Sequence, residues 1–148
     1  MKNLKLLHVL LVILTAGAVN NVNAQNAKNA NKIFIDAKGG IHNHEGTKLG
    51  YIDKDDIVRN ANGQKIYFID KIGNVIDARG KKVGKAQKNG NFYNAEGVNV
   101  LVVKDKGAAT CEILDPKGHS LGTVHKNYKL HACAAHCLLL MEKQKTKH

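Results

Sequence analysis

Aromatic residues are scarce in this 148-residue chain: it has no tryptophan, four tyrosines and three phenylalanines, 5% in all. Proteins that hold single-stranded nucleic acid stack its bases on aromatic side chains, so the composition disfavours nucleic acid as a partner. Cysteine is sparse too: Cys111, Cys133 and Cys137 allow one internal bridge at most and leave one thiol over. Acid is outnumbered, with 12 Asp and Glu against 23 Lys and Arg. No glycine-rich loop precedes a helical stretch, so the phosphate cradle at a helix N-terminus is missing. Long apolar runs are absent as well, because the greasiest stretch, Leu6 to about Ala18, is shorter than the roughly 20 residues that span a bilayer.

That stretch follows Lys2 and Lys5 and leads to Val22-Asn23-Ala24, the layout of a secretory signal peptide, read as residues 1–24 with cleavage after Ala24. No cysteine follows the cut to accept a lipid. The mature chain, residues 25–148, is long enough for one domain with a modest core and has no transmembrane segment. Loss of Lys2 and Lys5 leaves 21 Lys and Arg against the same 12 acids. The expected location is secreted, periplasmic or at the cell surface, where an oxidising environment bears on the cysteines. A basic exported protein favours anionic polymers or cell-envelope surfaces as partners, without naming one.

What is present is a repeat. Four segments align without a gap at a period of 17: "IFIDAKGGIHNHEGTKL" (33–49), "GYIDKDDIVRNANGQKI" (50–66), "YFIDKIGNVIDARGKKV" (67–83) and "GKAQKNGNFYNAEGVNV" (84–100). A fifth copy (101–121) carries four extra residues near Ala108 to Cys111, and a sixth begins as "GTVHKNYKL" and stops. The fourteenth place is always glycine: Gly46, Gly63, Gly80, Gly97 and Gly118. One residue type held while its neighbours vary signals a backbone demand, a positive φ in a tight turn. The ninth place (Ile41, Val58, Val75, Phe92, Ile113), the seventeenth (Leu49, Ile66, Val83, Val100, Leu121) and the third (Ile35, Ile52, Ile69, Ala86, Val103, Val124) are apolar and read as core. The seventeenth and third places are three apart, which a flat strand would put on opposite faces, so a bulge or kink at Gly50, Gly84 and Gly122 is expected to turn both inward.

Each copy reads as a strand, a turn near the seventh place, a second strand and a turn leading to the fixed glycine. One copy cannot bury its own apolar face, so the copies stack or close on one another. The expected fold is all-β, with five 17-residue hairpin-like repeats closed around a pseudo-five-fold axis over residues 33–130; an open β-solenoid is the competing arrangement. The motif best seen in "FIDKIGNVIDARGKKV" resembles the five-fold β-flowers, a family of small secreted bacterial repeat proteins. The resemblance implies a fold and a location and brings no catalytic residues. The fourth copy departs from it, with Ala86 and Gln87 where Ile-Asp is expected.

Residues 25–32 read as a flexible lead-in, and "HACAAHCLLLMEKQKTKH" changes the pattern to a C-terminal helix over 131–143 with a basic tail at 144–148. The helix is apolar nearly all round from Ala132 to Met141, as in a buried helix, and its simplest role is to plug or cover one end of the ring. His131, Cys133, His136 and Cys137 are soft-metal ligand types within seven residues, with His125 or Cys111 as a further candidate. Their spacing matches no established site, and the competing roles are helix packing and a bridge from Cys111 to Cys133 or Cys137. His42 and His44 read as ordinary exposed histidines.

Asp36, Asp53 and Asp70 recur at the fourth place, too regularly for the two unlike environments that acid/base catalysis needs, and read as turn caps or partners of Lys54 and Lys71. No catalytic residue, metal site or cofactor is assigned, and the chain reads as a non-enzymatic structural or binding module. Lys48, Lys65 and Lys82 occupy the sixteenth place and Lys54, Lys71, Lys88 and Lys126 the fifth, and closure would gather each set on one rim as a basic crown for an anionic ligand. The alternative is a small metal-binding protein using the C-terminal Cys/His cluster.

Overall fold

A computed structural model describes residues 32–145 and Lys147; the signal peptide read at 1–24 and the lead-in up to residue 31 lie outside the described residues. The chain forms β1 (Ile33–Ile35), β2 (Gly40–Asn43), β3 (Lys48–Ile52), β4 (Ile57–Asn60), β5 (Lys65–Ile69), β6 (Asn74–Asp77), β7 (Lys82–Ala86), β8 (Phe92–Asn94), β9 (Asn99–Asp105), β10 (Thr110–Leu114) and β11 (Ser120–His125). A 3₁₀ segment, Lys126–Cys133, and a helix, α1 (Ala134–Lys145), complete it. Every sequential pair of strands is antiparallel, and the sheet closes where β1 runs parallel to β11. Ile33, Phe34 and Ile35 stand opposite Gly122, Thr123 and Val124. The open solenoid is thereby replaced by a closed barrel, which leaves no unpaired edge to template aggregation.

The turns explain why acidic and amide side chains recur. Asp36, Asp53 and Asp70, and likewise Asn43, Asn60, Asp77, Asn94 and Asp115, each accept on Oδ1 from the backbone N–H groups two and four residues on, at 2.8 to 3.1 Å. The side chain stands in for a backbone carbonyl and fixes a four-residue loop. The third residue after the cap must then be left-handed, and the fixed glycines are, with φ between 78° and 88°. At the seventh place Gly39, Gly73 and Gly90 do the same, but the second copy uses Asp56, at φ 60°. The lysines beside the aspartates are not their partners: Asp53 bonds Arg59 Nε at 2.6 Å, Asp36 meets His42 Nε2 at 2.9 Å, and Asp70 accepts from Asn74 at 2.8 Å.

Bulges also recur. Ile41 faces Gly50 while His42 faces Lys48, so Leu49 is the extra residue, and the same skip isolates Ile66, Val83, Val100 and Leu121. All five are seventeenth-place residues. The ninth-place side chains are wholly buried, whereas these bulged ones are half-buried and pack on the outside of that layer.

Between them, the first-place residues alternate large and small around the ring: Ile33, Gly50, Tyr67, Gly84, Leu101, Gly122, all buried. A Cβ at Gly84 would run into the Phe92 ring and the Tyr93 carbonyl, so the small member of each pair makes room for its neighbours.

An eight-stranded barrel is about the widest that inward side chains alone can fill, so an eleven-stranded one needs something at its centre. The C-terminal segment supplies it. At the rim made by the first turns, Tyr128 lies against Gly39, Lys129 Nζ pairs with Asp105 at 3.1 Å, and His131 approaches Asp56 at 3.7 Å. Ala132, Cys133, Ala134 and Ala135 then have no exposed surface at all. At the opposite rim, Leu140, Met141 and Gln144 stand beside the second turns at Asn60 and Asp77.

The segment therefore runs through the barrel rather than capping one end. Most of the strands have three to five residues and stand roughly 10 to 17 Å tall, and Ala132 to Leu138 covers about 11 Å. Its small residues fit the narrow passage. The helix begins three residues later than the pattern suggests because Lys126–Cys133 is a 3₁₀ turn interrupted at Tyr128 (φ −116°, ψ 20°).

Candidate functional site

The chemistry-bearing residues of the C-terminal segment lie along its passage through the barrel, several of them beside Tyr67. His131 is buried beside the Tyr67 ring, 6.3 Å between centroids, with Nδ1 unpartnered; burial pushes its imidazole below the ordinary value, and Asp56 only partly opposes this. Cys133 Sγ pairs with Tyr67 Oη at 3.5 Å, and burial pushes the thiol up to about 12. Burial raises Cys137 as well, and Tyr67 along with it. His136 meets the Phe92 ring at a tilt of 47°, with centroids 5.5 Å apart.

Metal ligation and nucleophilic attack both need thiolate, which these environments disfavour at neutral pH. Among the described residues no group of three or more His, Cys, Asp or Glu is placed to hold a metal ion. The three thiols are free: Cys111 donates to Asp105 Oδ1 at 3.3 Å on the first-turn side, while Cys133 lies inside the barrel. His42 is held by Asp36 and His44 lies 3.8 Å from Glu45.

The lysines are where a closed ring puts them. Lys54, Lys71, Lys88 and Lys126 are exposed on the first-turn rim, interleaved with Asp53, Asp55, Asp56, Asp70 and Asp105. Lys48, Lys65 and Lys82 are exposed at the first residues of β3, β5 and β7, on the second-turn rim. Lys48 and Lys65 are steadied over the Tyr51 and Phe68 rings, each at 5.2 Å. Arg79 and Lys81, in the turn between β6 and β7, extend this second set into an arc of five cations. Its nearest acids are Glu45 and Asp77, and the latter is committed to the amides of Arg79 and Lys81.

Inside that arc, α1 leaves part of the barrel mouth unfilled. A cleft of about 680 Å³ opens between the helix and the β4–β5 and β6–β7 hairpins, floored by Ile66, Tyr67, Val83 and Phe92 and walled by Leu140 and Met141. A smaller one, about 440 Å³, lies across the helix beside Val100, Leu121 and Leu139. Four of the five bulged seventeenth-place residues line them, Ile66 and Val83 the larger and Val100 and Leu121 the smaller. Arg79, Lys81, Leu140 and Met141 escaped the sequence reading: the two cations occupy no recurring place, and nothing in an all-round apolar helix marks the side left uncovered. The chain matches no protein-family model, no curated protein and no solved structure.

Proposed function

We propose that this is an exported, non-enzymatic β-module of the β-flower kind, its repeats set around a pseudo-five-fold axis, which binds anionic polymers or envelope surfaces through its second-turn rim. The observation that carries the reading is the arc of Lys48, Lys65, Arg79, Lys81 and Lys82, exposed along successive hairpins with few free carboxylates among them. Clustered like charge raises the local concentration of an anionic partner, and its effect falls as salt screens it.

A metal-handling role is the weaker reading, since among the described residues no three His, Cys, Asp or Glu side chains are placed to hold a metal ion. Retention of the purified protein on a sulfated-polysaccharide column tests the proposal. The protein is expected to elute at a salt concentration well above that for a neutral control. Lys48→Glu/Lys65→Glu/Lys82→Glu should elute early, while Lys54→Glu/Lys71→Glu/Lys88→Glu on the opposite rim should elute nearer the wild type. Equal losses in both triple variants would mean that net charge alone governs retention, and the rim reading would fail.

A further inference from the structure

We propose that the larger cleft is a binding site for a single-chain amphiphile with an anionic head, its alkyl chain lying between α1 and the barrel mouth and its head at Lys65 and Arg79. The inference rests on the basic-rim reading for the sign of the head and goes beyond it by adding an apolar tail. A volume of about 680 Å³ falls in the range of small-molecule sites. Its lining joins an apolar floor to polar side chains from both hairpins and the helix, among them Asn60, Gln64, Arg79 and Gln144.

The helix itself points to an occupant. It buries Ala134, Ala135 and Leu138 inside the barrel yet leaves Leu140 46% and Met141 37% exposed on the wall of the cleft. Large apolar side chains grouped at the mouth of a concavity offer surface that an alkyl chain would cover. A polymer lying across the rim would leave them bare. A peptide would need its backbone amides paired, and a closed barrel has no free strand edge to receive them, leaving only side chains such as Asn60, Gln64 and Gln144.

The head is assigned by charge. Arg79 is 85% exposed, and its 3.4 Å contact with Asp77 leaves most of its guanidinium donors available to a carboxylate or phosphate. Lys65 stands on the neighbouring hairpin at the same edge. Asp77, the one acid lining the cleft, accepts from the turn amides and has its carboxyl held below the ordinary value by them. Asp77 is therefore a carboxylate, and with Lys65 and Arg79 against it the edge keeps a net positive charge that favours an anionic head.

Calorimetric titration of the purified protein with dodecanoate tests the site, with dodecyltrimethylammonium as the same chain bearing the opposite head. Saturable one-to-one binding of dodecanoate, at least about tenfold tighter than the cation, is expected. Leu140→Gln/Met141→Gln, two exposed positions, should weaken dodecanoate about tenfold and leave polysaccharide retention unchanged. Arg79→Glu should erase the preference between heads. No saturable binding, equal affinity for the two heads, or full affinity in the Leu140/Met141 variant would overturn the proposal. Dodecanoate binding with no polysaccharide retention would uphold the cleft and remove the polymer reading.

Discussion

Gly63 and Gly122 are both glycine for different reasons. Gly63 sits at φ 80° in a turn where an added Cβ would meet little beyond the Tyr51 hydroxyl, so its demand is conformational. Gly63→Ala should lower unfolding free energy by about 1 to 2 kcal/mol, measured by urea denaturation. At Gly122 a Cβ would fall within the Ile33 carbonyl, on the pair of strands that closes the barrel. Gly122→Ala is therefore expected to abolish the native state, seen as loss of a cooperative transition.

The recurring glycine at the fourteenth place was legible because five copies agree. Asp56 was not: it takes a left-handed position that its counterparts fill with glycine, and only the shared geometry reveals the equivalence. His131 carries a pH prediction. Its folded-state proton affinity is lowered by burial, so the unfolded chain binds the proton at higher pH, and stability is full above the unfolded value of 6.5 and falls as pH drops through the folded one. Asp36, Asp53, Asp70, Asp77, Asp105 and Asp115, all lowered from 3.8, contribute stability above that value that is lost at lower pH. His131→Phe should flatten the fall in urea midpoint between neutral and mildly acidic pH while keeping the strongly acid transition. An unchanged slope would assign the near-neutral loss to another group.

At the scale of elements, the bulge and the central helix are complementary. Ile66, Val83, Val100 and Leu121 line the clefts at the barrel mouth beside α1, and the ninth-place layer they pack against is wholly buried. The bulge was readable in outline, since two apolar places an odd number of residues apart cannot both face inward on a flat strand. Its location at the seventeenth place rather than at the glycine, and the half-burial that follows, depend on how much of the mouth the helix fills.

The small residues of the helix were legible as packing, but their purpose comes from the width of the passage. Ala134→Leu adds bulk where no surface is exposed and should cost about 1 to 3 kcal/mol or more. Leu140→Ala, on the cleft wall, should change stability by less than about 0.5 kcal/mol. Thermal unfolding of the two variants separates them, and equal effects would contradict a helix that runs inside the barrel.

For the whole molecule, the sheet and the segment within it form one cooperative structure. A chain ending at Leu130 keeps every strand and loses what fills them, so it is expected to bind hydrophobic dyes and to unfold over a broad range of urea instead of a sharp one. Closure was legible from the count of copies and the half copy at the end. Threading was not, because periodicity reports the faces of elements and says nothing of what lies inside a ring.

The order in which the chain is made gives that threading a further consequence. The strand that joins β1 is separated from it by some ninety residues of sequence, and the segment that fills the centre follows every strand in the chain. Ring closure must await it, and contacts so distant along the chain make for slow folding. Until then β1 and β11 present open edges to any neighbouring chain. The protein is therefore most vulnerable between the making of β11 and that of residues 126–145, and conditions that delay this segment should raise aggregation more than conditions that weaken any single turn.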